Sequence, residues 1–201
     1  MVPKVKTLIL DLGNVLMFHD NTLLYRRLGE LGGLGAEAVE QLVSSGIWER
    51  LHRDRLDAEE IQREVCGALG IQLGPEEFAA VWSSHFTPNE AILPIVESLV
   101  GRVKLVLLSN TNALHTEYLR QHLPLLDKFD HLLLSHELGC AKPDPLIYLE
   151  ALRRTGAKPF EAAFFDDVPE YVEAARRLGI VGHVYRSVEE FAHQLATLGL
   201  R

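Results

Sequence analysis

Cysteine is scarce: Cys66 and Cys140 are the only two and lie far apart. That suits a reducing compartment better than a disulfide framework. Long apolar runs are absent too. The stretch Val103–Leu108 falls well short of the roughly 20 residues that span a bilayer. No charged leader precedes a long apolar segment and a cleavage site, so no signal peptide is expected and the cytoplasm is the expected location. There is no basic block, since 20 Lys and Arg stand against 28 Asp and Glu, a net charge of −8. Nucleic acid and anionic membrane are therefore not expected as partners. A phosphorylated ligand would need positive charge supplied locally, by a metal ion or a chosen lysine. Internal repeats and low-complexity segments are lacking as well, which excludes a repeat array.

What remains is an ordinary globular composition, 47% hydrophobic and 24% charged over 201 residues. That suffices for one sizeable core with a small appended module. Five apolar runs read as strands: Val5–Leu10, Val103–Leu108, His131–Leu134, Ala162–Phe165 and Val181–Tyr185. Helix-length segments separate the last four, the βαβ pattern of an α/β fold. The expectation is a doubly wound parallel sheet of five or more strands.

Between the first two strands the pattern turns helical for far longer than a crossover needs. Apolar residues recur at helical spacing over Asn21–Leu31 and Gly35–Val43. Asp57-Ala58-Glu59-Glu60 reads as a capping box ahead of a helix that Gly70 closes, and Pro75 opens another. Residues 20–86 are read as an all-helical insert over the working edge of a core formed by 1–19 and 87–201. A helix over about Asn89–Val100 returns to the core, with Pro94 in its first turn.

The polar residues that matter follow the strands. Ligands of open α/β sheets sit beyond the carboxyl ends of the strands, which is where Asp11 falls. Asp166-Asp167 closes another apolar run, and two adjacent carboxylates there repel each other unless a hard divalent cation sits between them. Ser109-Asn110-Thr111 forms a strand-to-helix turn with a hydroxyl and free amides, an anion seat or simply a helix cap. Lys142, beside Pro143, reads by itself as an exposed turn lysine. The histidines show no metal-ligand spacing, and His115 and His122 read as helix-surface residues. Trp48, Glu49, Arg50, His52 and Arg53 fall in the insert, where they could contact a substrate's leaving group, although the tryptophan reads more readily as core and the arginines as a solvated face.

Taken in order, Asp11-Leu12-Gly13-Asn14-Val15-Leu16, Ser109-Asn110-Thr111, Lys142-Pro143 and Phe165-Asp166-Asp167 resemble the four motifs of the haloacid dehalogenase (HAD) superfamily. The likeness spans essentially the whole chain, with the helical insert standing where that family's small cap does on its Rossmannoid core. The string Leu108-Ser109-Asn110-Thr111-Asn112 with Leu114-His115-Thr116 is most similar to the branch of the bacterial α-D-glucose 1-phosphate phosphatases. The resemblance implies a Mg2+-dependent phosphatase of a small phosphorylated metabolite, with a sugar phosphate as one candidate. Asp11 would be the nucleophile that carries an aspartyl phosphate. Asp11, the Gly13 carbonyl, Asp166 and Asp167 would hold the metal. Ser109, Asn110, Lys142 and the backbone of Leu12 and Gly13 would hold the phosphoryl oxygens.

The chain departs from the family pattern at one place. Gly13 stands where the phosphatases usually carry a second aspartate as general acid and base. An anomeric leaving oxygen would soften that loss. Asp20 is the first candidate for a substitute and His19 the second, although Asp20 also reads as a helix N-cap. Two rival readings follow from Gly13. A 2-haloacid dehalogenase needs no acid for halide but gives Asp166-Asp167 no role. A phospholigand-binding protein would have lost its chemistry and kept its binding.

Overall fold

The structure, a computed structural model, describes residues 5–37, 39, 40 and 46–200, apart from the Trp48 side chain. Part of the expected helix over Gly35–Val43, and the packing of Trp48, therefore lie outside the described residues.

In chain order the strands are β1 (Thr7–Leu10), β2 (Met17–His19), β3 (Phe86–Pro88), β4 (Lys104–Ser109), β5 (His131–Leu134), β6 (Ala162–Asp166) and β7 (Val181–Val184). Five of them form one parallel sheet in the order β5-β4-β1-β6-β7. All four residues of β1 are buried, as a central strand covered on both faces requires. Alternation along the strands divides the core. Leu8, Leu10, Leu105, Leu107 and Phe165 join one cluster, while Ile9, Val106, Leu108 and Phe164 join the other.

Between β2 and β3 the described residues include the helices α1 (Asn21–Gly32), α2 (Ile47–Arg53), α3 (Ala58–Leu69) and α4 (Pro75–Ser83). They enclose a third cluster around Leu24, Leu28, Ile61, Val65, Phe78 and Trp82. The capping box at Asp57 is formed in both directions, Glu60 N–H to Asp57 at 2.8 Å and Asp57 N–H to Glu60 at 2.9 Å.

The remaining helices are α5 (Leu93–Glu97), α6 (Ala113–His122), α7 (Ser135–Leu138), α8 (Pro145–Thr155), α9 (Pro169–Arg177) and α10 (Val188–Thr197). The helix expected over Asn89–Val100 is thus cut to α5, with Pro94 in its first turn. The cause is Asn89, whose buried amide donates to Val15 O at 2.8 Å and Tyr185 Oη at 2.9 Å. Those bonds commit residue 89 to bracing the loop after β1. Pairing of β2 with β3 is a further element that local pattern does not announce, being three residues on each side.

Helix α9 lies so close to β7 that a Cβ on Gly182 would sit 2.9 Å from Val172 Cγ1 and 3.0 Å from the Val172 carbonyl oxygen. The carbonyl belongs to a packed helix and cannot step aside. Gly182→Ala is expected to cost about 1–3 kcal/mol of stability in denaturant unfolding, the usual scale for overpacking. Activity per folded molecule should stay unchanged.

Candidate active site

The sheet register sets the first contacts. Leu10 pairs with Phe165 on one side and Leu107 on the other, so Asp11 and Asp166 leave neighbouring strand ends together. Asp11 N–H still donates to Phe165 O at 2.9 Å, which fixes the backbone from which the carboxylate projects. Asp166 is fully buried, and its Oδ1 accepts the Val168 N–H at 2.8 Å. Asp167 is half-buried and accepts from Asn14 Nδ2 at 2.8 Å. Asn14 holds this position with φ +54°, a left-handed conformation that asparagine tolerates.

Lys142 reaches this group from a loop outside the sheet. Far from being an exposed turn lysine, it is 3% exposed, and its Nζ stands 2.6 Å from both Asp11 Oδ1 and Asp166 Oδ2. Asn110 is the reason it arrives there. Its side chain donates to Lys142 O at 2.9 Å and accepts from Lys142 N–H at 2.8 Å, an amide clamp on the lysine's own backbone. The Tyr171 ring lies 5.2 Å from the ammonium and adds a cation–π contact.

Burial pushes the Asp11 carboxyl up to about 7; Lys142 pulls it down and the charge of Asp166 pushes it up again. Burial would lower Lys142, but the two carboxylates it bridges carry it above the usual ammonium range. The balance is three acidic groups against one ammonium. Among the described residues, Asp11, Asp166 and Asp167 are the one cluster of acidic, histidine or cysteine side chains with possible ligand atoms all within 4.8 Å of one another. Hard carboxylate oxygens short of positive charge fit Mg2+.

A cavity of about 310 Å³ opens over these groups, lined on the sheet side by Asp11, Leu12, Gly13, Ser109, Asn110 and Lys142. Ser109 is buried, and the turn beyond it is tied down by Thr111 N–H donating to Ser135 Oγ at 3.0 Å. The helix cap here is Asn112, which accepts the His115 N–H at 3.1 Å, so Ser109 and Asn110 are not spent on capping.

The far wall comes from the helical segment and the β2–β3 pair: His19, Asn21, Tyr25, His52, His85 and Phe86, with His115 from α6. His115 corrects the surface reading. It is 5% exposed and stacks on Trp82 with ring centroids 5.5 Å apart, because α6 packs against α4. Burial holds His52 and His85 down near 4, and His115 well below the ordinary imidazole value. All three are neutral at pH 7. Sequence pattern missed His85 and Tyr171, whose only advance signal is position on elements that face the strand ends, whereas His52, one of the insert residues weighed as a contact to the leaving group, does line the cavity. Asp20 is exposed and caps α1, its Oδ1 accepting the Thr22 and Leu23 amides at 2.9 and 3.2 Å. It is not among the residues that line the cavity, whereas His19 is. Arg50 and Arg53 lie on the outer face, paired with Glu64, Asp54 and Glu49.

Known proteins resemble this chain in sequence and in fold. A D-ribitol-5-phosphate phosphatase of Bacteroides thetaiotaomicron is 29% identical over 185 residues, covering 87% of this chain and 89% of that protein. A sesquiterpene phosphatase of Aspergillus oryzae is 27% identical, covering 90% of each. A HAD family enzyme of Bacteroides thetaiotaomicron, solved in complex with magnesium and inorganic phosphate, superposes with a TM-score of 0.85 at 25% identity. It covers 94% of this chain and 98% of that one. The family model for haloacid dehalogenase-like hydrolases matches residues 5–179. The chain belongs to the haloacid dehalogenase-like hydrolase family.

Proposed function

We propose that this chain is a magnesium-dependent phosphatase that takes a single phosphate ester of a small, uncharged, hydroxylated alcohol. The observation that carries the reading is the placement of Lys142, 2.6 Å from Asp11 and from Asp166 on the floor of one cavity. An ammonium between carboxylates, beside a buried hydroxyl and a turn of amides, suits a dianionic phosphoryl group and a carboxylate nucleophile.

In this reading Asp11 attacks phosphorus and carries the phosphoryl group as an aspartyl phosphate. Ser109 Oγ, the Asn110 amide, Lys142 Nζ and the amides of Leu12 and Gly13 receive the equatorial oxygens. The Asn110 side chain and Tyr171 position the lysine. Asp11, Asp166, Asp167 and the Gly13 carbonyl are the residues that would hold magnesium, which supplies positive charge against the phosphoryl oxygens. The segment 20–86 acts as the cap that excludes water and meets the leaving group, over a core of 1–19 and 87–201.

The cap side supports the substrate class. Asn21, Tyr25, Phe86 and the neutral imidazoles of His52, His85 and His115 offer hydrogen bonds and ring faces, and no lysine or arginine stands among the described lining residues of that wall to hold a second phosphate. Ribitol 5-phosphate, cleaved by a relative, and glucose 1-phosphate, suggested by the Leu108–Thr116 string, are both single esters of neutral polyols. A dehalogenase reading suits Gly13 but leaves Asp166 and Asp167 without purpose, because a departing halide gains nothing from paired carboxylates.

Phosphate release from sugar and polyol monophosphates, sugar bisphosphates and 2-haloacids, with magnesium and with EDTA, tests this. Magnesium-dependent release from monophosphates in preference to bisphosphates is expected. Halide release insensitive to EDTA, with no phosphate released from any ester, would overturn it.

A further inference from the structure

The cap side of the cavity holds one more group that bears on the chemistry. We propose that the His19 imidazole is the general acid and base of the reaction, occupying the space that residue 13 leaves empty. The inference rests on the phosphatase reading above. A Cβ built on Gly13 would lie 3.0 Å from both Nε2 and Cδ2 of His19, and 3.8 Å from Asp11 Oδ2. A side chain at position 13 and the His19 ring therefore compete for one volume. That volume borders the Asp11 oxygen that Lys142 does not hold, since the lysine is on Oδ1.

Local structure puts the ring there. Leu12 O accepts the amides of Leu16 and Met17, both at 2.9 Å, and Asn14 N–H returns to Met17 O at 2.7 Å, so the chain doubles back within six residues of Gly13. Strand β2 then pairs His19 with Phe86. The rings of His85 and Phe86 meet the His19 ring edge-on, each with centroids 6.4 Å away at 69° and 84°. Asp11 faces the imidazole from β1, His85 from the loop before β3, and His115 from α6 across His85. Asp20, next in the chain, has its carboxylate committed to the α1 amides.

The proton balance closes with water as the co-reactant. Asp11 attacks phosphorus, the bond from phosphorus to the leaving oxygen breaks, and the imidazolium gives that oxygen its proton. An alcohol and a neutral imidazole result. Water then attacks the aspartyl phosphate, the imidazole takes its proton, and the Asp11–phosphorus bond breaks. Inorganic phosphate leaves, and the carboxylate and imidazolium are restored.

Leaving-group dependence is the readout a merely structural histidine would not move. First-turnover rates are measured with magnesium on glycerol phosphate, whose alkoxide needs a proton, and on p-nitrophenyl phosphate, whose phenolate does not. The variants are His19→Gln, His19→Ala and the pair Gly13→Asp/His19→Ala. Loss of the acid should slow the alkyl ester by about 10²–10⁴-fold while the first release of nitrophenolate changes by less than about tenfold. The double variant should recover alkyl cleavage, because deleting the ring opens the volume that an aspartate at 13 fills. Equal slowing on both esters in His19→Gln, or unchanged alkyl cleavage, overturns the proposal while wild-type turnover leaves the phosphatase reading standing. No turnover of either ester by the wild type removes both.

Discussion

Lys142→Met is expected to abolish most activity and to make folding depend on magnesium. The substitution keeps the length of the side chain but removes the ammonium that, among the described residues, pairs with both Asp11 and Asp166 at 2.6 Å. Removing one partner of a buried ionic group characteristically costs about 3–5 kcal/mol, because the remaining charge is left without compensation. Here two buried carboxylates lose their partner together, so Asp11 must take up a proton or a metal ion. Denaturant unfolding in EDTA should show that loss, and millimolar magnesium should restore a large part of it. Phosphoryl transfer should still fall by roughly 10²–10³-fold in saturating magnesium, the range seen when one preorganised charge-stabilising donor is deleted. A variant equally stable with and without magnesium would contradict the placement of the metal beside Lys142.

Asp11→Asn should act in the opposite sense on stability and in the same sense on activity. The Asp11 carboxyl is pushed up to about 7, by burial first and by Asp166 in addition, with Lys142 opposing. A carboxyl raised by folding costs stability above its ordinary pKa of 3.8, and the cost grows until pH passes the raised value. An amide carries no such cost and still accepts from Lys142 while the lysine keeps Asp166. Above pH 7 without metal, the variant should therefore melt no lower than the wild type, and the shift on adding magnesium should shrink. Phosphate release should fall by at least about 10⁴-fold, because a covalent nucleophile acts as a unit with its surroundings. Release surviving in this variant would mean that another residue attacks phosphorus.

The contrast between these two substitutions shows which parts of the site are legible in the chain. Asp11, Ser109, Asp166 and Asp167 each close an apolar run, and a parallel sheet brings the ends of such runs together whatever the loops do. Lys142 carries no local mark, and only its order among the four motifs singles it out. The amide clamp from Asn110 is invisible in sequence because its partner lies 32 residues away. The histidine wall is hidden for a related reason. Strands β2 and β3 are three residues each and about 70 residues apart, too short for alternation to register, yet they set His19 and His85 over the nucleophile. Their contacts also turn His115 inward, where helical spacing alone suggests a surface residue. Asp20 illustrates the converse. Its capping and catalytic readings are equal in sequence, and the structure shows its carboxylate on the α1 amides. The shortening of the helix after Asn89 depends on two buried bonds that no propensity encodes.

Acid-quenched mass spectrometry of the Asp11 peptide during turnover of a sugar monophosphate with magnesium puts the question most directly. The expected result is a phosphoryl group on Asp11 in the wild-type protein, absent in Asp11→Asn and absent when EDTA replaces magnesium. A phosphorylated residue elsewhere, or steady release of phosphate with Asp11 never modified, would contradict the covalent mechanism and the reading of the pocket built around it.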